Sequence, residues 1–283
     1  MRPLLAVHGI GNFEDVGTPG EASALIAERL MPRLVSGFAV AGLGHLQVPE
    51  LRVAYYAHVL TRQGRQDAEE TDIDRLDDDE TALAVDWLTA AADAFPEWRQ
   101  QGRVTLMPRQ VLHWVARRSS VPAEVLARVA VAFAREVNAY LSWPARRRAA
   151  RQAVADAIAD VRPRVLLAHS LGSVVAYEAL HAHPALSVDL LVTLGSPLGL
   201  SGAVFHALEP EPVHERGAKP PGVGRWVNLA DPGDLVAVPR RLGDRFPVDH
   251  DDETTIGVVQ FHTLGAYLAS GMTAAAIAAY LDE

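Results

Sequence analysis

A change of period at Ser170 sets the terms for the whole chain. Before it, Val165-Leu166-Leu167-Ala168 is an unbroken apolar run, the pattern of a strand covered on both faces of a parallel sheet. After it, Leu171, Val174, Val175, Ala179 and Leu180 recur at helical spacing until Pro184. The pattern predicts a buried strand, a sharp turn with the serine at its apex, and a helix. Leu4–Val7 and Val188–Leu194 are further apolar strands, and Leu51–Tyr56 and Arg225–Ala230 also read as strands. Strands buried on both faces need helices on both, so the expected class is α/β with a mostly parallel sheet.

A serine at a tight strand-to-helix turn has its hydroxyl pushed out of the sheet, where a base can reach it. The turn is crowded, so the residues two before and two after must be small; here they are Ala168 and Gly172. This is the nucleophile-elbow pattern G-x-S-x-G with alanine in its first small position. Because the helix starts at the serine, the amide N–H of Leu171 is placed to meet an oxyanion formed there. The first strand runs into His8-Gly9-Ile10-Gly11-Asn12, a glycine-rich turn whose amides can face a cavity unobstructed.

Between these landmarks, Thr18-Pro19-Gly20-Glu21 carries the signature of a capping box, opening a helix that runs to about Leu34 before a loop over Gly37–Gly44. The acidic run from Asp67 to Glu80 lacks the glycine and spacing of a calcium loop and reads as a solvated connector leading into a helix N-terminus. Stripes at Leu83, Trp87, Ala91 and Phe95, then after Pro108 and Pro122, predict a helical insertion over 60–144. A further helix over 145–161 leads into the serine strand, with Arg146, Arg147, Arg148 and Arg151 expected on a solvent face. Residues 209–224, rich in proline and glycine, read as an irregular loop, and Asp249-His250-Asp251-Asp252 as an exposed acidic loop. Ile256–Phe261 is expected to be a short strand, with C-terminal helix after it.

Composition narrows the functional classes. The 283 residues fit one large domain, 1–283, with the helical segment inserted in it. No cysteine is present, which removes disulfides, thiol catalysis and thiolate metal sites and leans toward a reducing, cytoplasmic compartment. The net charge of −9 argues against a nucleic-acid partner. No segment has transmembrane length without charges, and the short N-terminal apolar run reads as a strand rather than a signal peptide. No motif calls for a metal or organic cofactor, and nothing in the sequence specifies an oligomeric state.

Val7-His8-Gly9-Ile10-Gly11 and Ala168-His169-Ser170-Leu171-Gly172 together resemble the α/β-hydrolases of the lipase and esterase kind, including small bacterial lipases whose elbow begins with alanine. The resemblance covers about 1–56 and 145–283. It implies a sheet of about six strands lacking the fold's first two, with the helical insertion as a cap. It also implies that Ile10 supplies a second oxyanion N–H beside that of Leu171. A serine hydroxyl needs a base, and the base a third group to hold it. In this family the chain order is serine, acid, histidine, which leaves His250 and His262 as bases. His262, between a strand and a helix, is preferred over His250 in its acidic loop. For the acid, Asp231 and Asp234 both follow a strand. Asp231 is placed to cap the turn at Pro232-Gly233. Asp234 precedes Leu235-Val236, like the acid in many lipases, and is preferred. The expected activity is hydrolysis of a small-molecule carboxylic ester through Ser170, Asp234 and His262. A thioesterase or a serine peptidase with the same three groups, and a non-catalytic binding protein on the same fold, stay open as alternatives.

Overall fold

The computed structural model describes residues 1–61, 72–100, 107–119, 121–257 and 261–281, with residues 99 and 100 described by their backbone. Six strands form a single sheet, all parallel: β1 (Leu4–Val7), β2 (Leu51–Ala54), β3 (Val165–His169), β4 (Val188–Leu194), β5 (Val223–Ala230) and β6 (His250–Glu253). Their order is β2-β1-β3-β4-β5-β6. The chain therefore leaves β1 to one side and returns on its other, which puts the topological switch point between β1 and β3, the position at whose carboxyl edge open α/β sheets bind ligands.

Helices flank both faces: α1 (Pro19–Val40), α2 (Ala57–Leu60), α3 (Asp78–Asp93), α4 (Pro96–Gln100), α5 (Pro108–Ala116), α6 (Ala123–Leu141), α7 (Pro144–Val161), α8 (Leu171–Ala182), α9 (Leu264–Ala269) and α10 (Gly271–Ala278). Alternate strand residues feed two cores, as a period of two requires. Leu4, Ala6, Val165, Leu167 and Val192 pack with α1, α9 and α10. Leu5, Val7, Leu166, Ala168 and Leu191 pack with α7 and α8, in a cluster that continues without a break through Trp87, Leu112, Phe133 and Tyr140 of α3, α5 and α6.

Several local expectations change. Helix α1 passes through Gly37 to Val40; a Cβ on Gly37 would lie only 2.1 Å from the Leu268 carbonyl oxygen, so this glycine serves close packing against α9 rather than termination. The acidic segment after Asp249 forms the edge strand β6, not a loop. Two of the acids here are occupied: Asp249 accepts from Lys219 Nζ and the Trp226 amide, both at 2.7 Å. Asp251 accepts from Asn228 Nδ2 (2.8 Å) and the Leu242 amide (3.1 Å). A charged outer strand also discourages pairing with another chain. Residues 254–257 form no strand, and 258–260 lie outside the described residues, as does 62–71 with part of the acidic run. The described part of that run behaves as expected, with Asp77 and Glu80 closing a capping box on α3.

The arginines of α7 correct a further expectation. Arg147 is buried rather than solvent-facing and grips the fully buried Glu178 of α8, with Nε at 2.9 Å from Oε2 and a second contact from Nη2 to Oε1. Tyr140 donates to the same carboxylate at 2.6 Å, and the Glu209 amide at 3.0 Å. Arg151 pairs with Glu209 at 2.5 Å. Four elements thus meet on one carboxylate behind the serine turn. Removing one partner strands a buried charge, so Arg147→Ala should destabilise the fold by about 3–5 kcal/mol, read as a lower urea midpoint at unchanged slope.

Candidate functional site

Because the sheet is parallel, the turns after β1, β3 and β5 all open on one edge. Ser170 follows β3 with φ 53° and ψ −132°, a conformation costly for any residue with a Cβ. Its amide donates to the Leu194 carbonyl (3.0 Å). Its carbonyl accepts from Ser173 Oγ (2.6 Å), which also meets Ser196 Oγ at 2.6 Å. The turn is therefore held from β4 and from its own helix. Gly172 is needed here, since a Cβ would come within 2.2 Å of the His8 carbonyl oxygen.

The structure brings Ser170, His262 and Asp234 together. His262 Nε2 lies 2.7 Å from Ser170 Oγ, and His262 Nδ1 lies 2.8 Å from Asp234 Oδ2. His262 too has a positive φ, of 50°. Asp234 is buried, and four donors converge on it: His262 and the Tyr267 hydroxyl (2.6 Å) on Oδ2, and the amides of Val236 (2.9 Å) and Ala237 (3.4 Å) on Oδ1. A carboxylate only accepts, so Nδ1 carries the imidazole proton and Nε2 is left to accept from the serine hydroxyl. Such a chain can move the hydroxyl proton onto the ring and hold the resulting charge.

Asp231 lies elsewhere in the same loop. Its Oδ1 accepts from the Gly233 amide (2.5 Å) and its Oδ2 from the Ile256 amide (2.6 Å), so it ties the turn after β5 to the segment after β6. His250 sits on the edge strand, paired with Val227.

The turn after β1 lies against the serine. A Cβ on Gly9 would stand 2.5 Å from Ser170 Cβ and 2.7 Å from His169 Nδ1. Gly9→Ala must therefore push the two turns apart. Since small misplacements of reacting groups cost about 10²-fold, a loss of that order is expected in any reaction carried out at Ser170, with circular dichroism unchanged. The turn is braced by His8, whose Nε2 accepts from the Tyr56 amide (3.2 Å) while Nδ1 donates to the Gly9 carbonyl (2.9 Å). The His8 ring stacks on Tyr56 at 4.3 Å. Desolvation lowers the His8 pKa to about 4, so it stays a neutral brace. Asn12 Nδ2 reaches the Gly9 and Ile10 carbonyls (3.1 and 2.9 Å). Among the described residues, neither the Ile10 nor the Leu171 amide N–H donates to a protein acceptor.

Helices α3 and α6 touch this edge. Trp87 of α3 donates from Nε1 to the Leu235 carbonyl (2.8 Å), next to Asp234, and Glu136 of α6 accepts from the Gly11 amide (2.6 Å). Ser170 itself is fully buried. The His169 ring lies 4.7 Å from that of His262, and neither of its nitrogens has a hydrogen-bond partner among the described residues. Burial, and then the neighbouring His262 and His8, push its pKa well below the ordinary value. No second positive charge is thereby placed against His262.

Sequence reasoning did not single out Tyr267 or Glu136. Tyr267 sits in a helical stripe that reads as core, and only the fold shows its hydroxyl bridging the Asp231 amide (3.1 Å) and Asp234. Among the described residues no helix is long and apolar enough to cross a membrane, and no cluster of His, Asp or Glu has the arrangement of a metal site. No family model, no curated protein and no solved structure matches the chain; the reading of the site rests on its geometry.

Proposed function

We propose that this chain is a serine hydrolase of the α/β-hydrolase type that transfers the acyl group of a carboxylic ester to water. The observation that carries this reading is the continuous hydrogen-bonded chain from Ser170 Oγ through His262 to Asp234, contributed by three separate turns on one sheet edge. In the proposed reaction Ser170 Oγ attacks the ester carbonyl carbon as its proton passes to His262 Nε2. Asp234 orients the ring and stabilises the imidazolium. The amides of Ile10 and Leu171, having no protein acceptor among the described residues, are available to the oxyanion. Collapse of the tetrahedral intermediate expels the alcohol, which takes the proton from His262. Water then attacks the acyl-enzyme, giving up a proton to His262, and its breakdown releases the acid and restores Ser170. With Ser170 buried, the ester reaches it only when the insertion over 60–144, read here as a cap, yields at its contacts with Leu235 and Gly11.

The test is labelling with a fluorophosphonate, mapped by mass spectrometry, followed by an acyl-chain series of matched esters and thioesters with and without a lipid interface. One adduct per chain on Ser170 and turnover of the esters are expected. Folded protein that forms no adduct would overturn the reading in favour of a binding protein. Preferential turnover of the thioesters would reassign the substrate class.

A further inference from the structure

Glu136 is the point at which the insertion grips the turn beside the serine. It lies on α6, 125 residues from its partner, and its Oε1 accepts the Gly11 amide at 2.6 Å. The two successive peptides of that turn are pinned by three side chains. Gly9 O is held by His8 Nδ1 and Asn12 Nδ2, Ile10 O by Asn12 Nδ2, and Gly11 N by Glu136. The first two anchors come from the turn itself. Glu136 is the one supplied by the insertion, and it acts on the peptide next to the Ile10 amide.

We infer that Glu136 is a positioning residue of the proposed hydrolysis, its ionised carboxylate fixing the Gly9–Gly11 turn against Ser170. The inference rests on the hydrolase reading. Gly11 is exposed and Glu136 half-buried, so the bond lies at the rim, where water competes with an acceptor. A charged acceptor holds an N–H about twice as strongly as a neutral one. The charge state of Glu136 therefore decides how firmly the turn is held. The groups that face it are Tyr55 and Tyr56 after β2, with His8 stacked on Tyr56 and Glu14 bonded to Tyr55 through its amide. Desolvation raises the Glu136 pKa to about 7, and the Gly11 bond offsets this only in part. Folding thus opposes ionisation. The penalty is absent below the ordinary carboxylate pKa, grows as pH rises, and is complete above about 7. The protein would be more stable with a neutral side chain there at pH 8.

The experiment compares wild type with Glu136→Gln, which keeps a neutral acceptor, and Glu136→Leu, which keeps none. The ratio of wild-type to Gln kcat on an activated ester cancels the titration of the base common to both. It should be about three- to ten-fold at pH 8.5 and fall to one by pH 5.5, with its midpoint near 7. The Leu variant should lose about 10- to 100-fold at every pH with KM little changed. Thermal melting should show the Gln variant more stable at pH 8 and equal to wild type at pH 4.5. The nitrogen and proton shifts of the Gly11 amide should titrate near pH 7 in wild type and in Ser170→Ala, and not in Glu136→Gln. A pH-independent ratio, or a Gly11 amide that does not titrate, would overturn the inference while Ser170 labelling still succeeds. Failure of labelling would instead remove the hydrolase reading and, with it, this role for Glu136.

Discussion

Ser170→Ala should lower ester turnover by about 10⁶-fold, the scale seen when the serine of such a constellation is removed, and should abolish fluorophosphonate labelling. The same variant should fold. The unfavourable φ of 53° at this position belongs to the backbone with any Cβ attached, and alanine keeps the Cβ. What is lost is the Oγ bond to His262 Nε2, which leaves one buried ring nitrogen unpaired at about 1–3 kcal/mol. A variant as folded as wild type, judged by urea denaturation, but without turnover separates chemistry from packing. Retention of wild-type turnover would show that the hydroxyl does not react, whatever its hydrogen bonds.

Asp234→Asn should cost about 10⁴-fold in kcat, through a tautomer rather than through structure. The amides of Val236 and Ala237 both point at Oδ1, so the asparagine carbonyl must take that place. The NH₂ group then falls where Oδ2 stood, facing His262 Nδ1 and the Tyr267 hydroxyl. The hydroxyl can turn to accept. The imidazole must accept as well, which moves its proton to Nε2 and leaves nothing to receive the proton of Ser170. Asp231→Asn makes the contrast. Its two oxygens each accept one backbone amide, from Gly233 and Ile256, and an asparagine can satisfy only one of them. The turn should loosen, with a small loss of stability and at most a few-fold change in kcat. A larger loss from Asp231→Asn than from Asp234→Asn would reverse the assignment of the acid.

The strands were legible because burial on both faces of a parallel sheet writes itself into short unbroken apolar runs. β1, β3 and β4 stand where those runs are. β6 was not legible, because four consecutive polar residues, His250 to Glu253, form it at the edge. Of its acids, Asp251 is held by Asn228 and the Leu242 amide, and Asp249 just before it by Lys219, partners that neighbouring residues do not announce. Arg147 was misread for a related reason. An arginine on a helix normally reaches water, and only the approach of α8 places the buried Glu178 opposite it.

For this protein the order of local events was settled by the sequence alone: unbroken apolar runs, the switch to helical period at Ser170, and small residues at 168, 172 and 9 around the turns that follow strands. These are properties of neighbours along the chain, and they place a serine and a glycine turn at strand ends. Tertiary structure alone decided which of two aspartates meets His262, that Tyr267 shares that carboxylate, and that Glu136 reaches Gly11 across 125 residues. These depend on distances of a few ångströms between segments remote in sequence. They are set by how helices pack on the sheet, and periodicity carries no record of that packing.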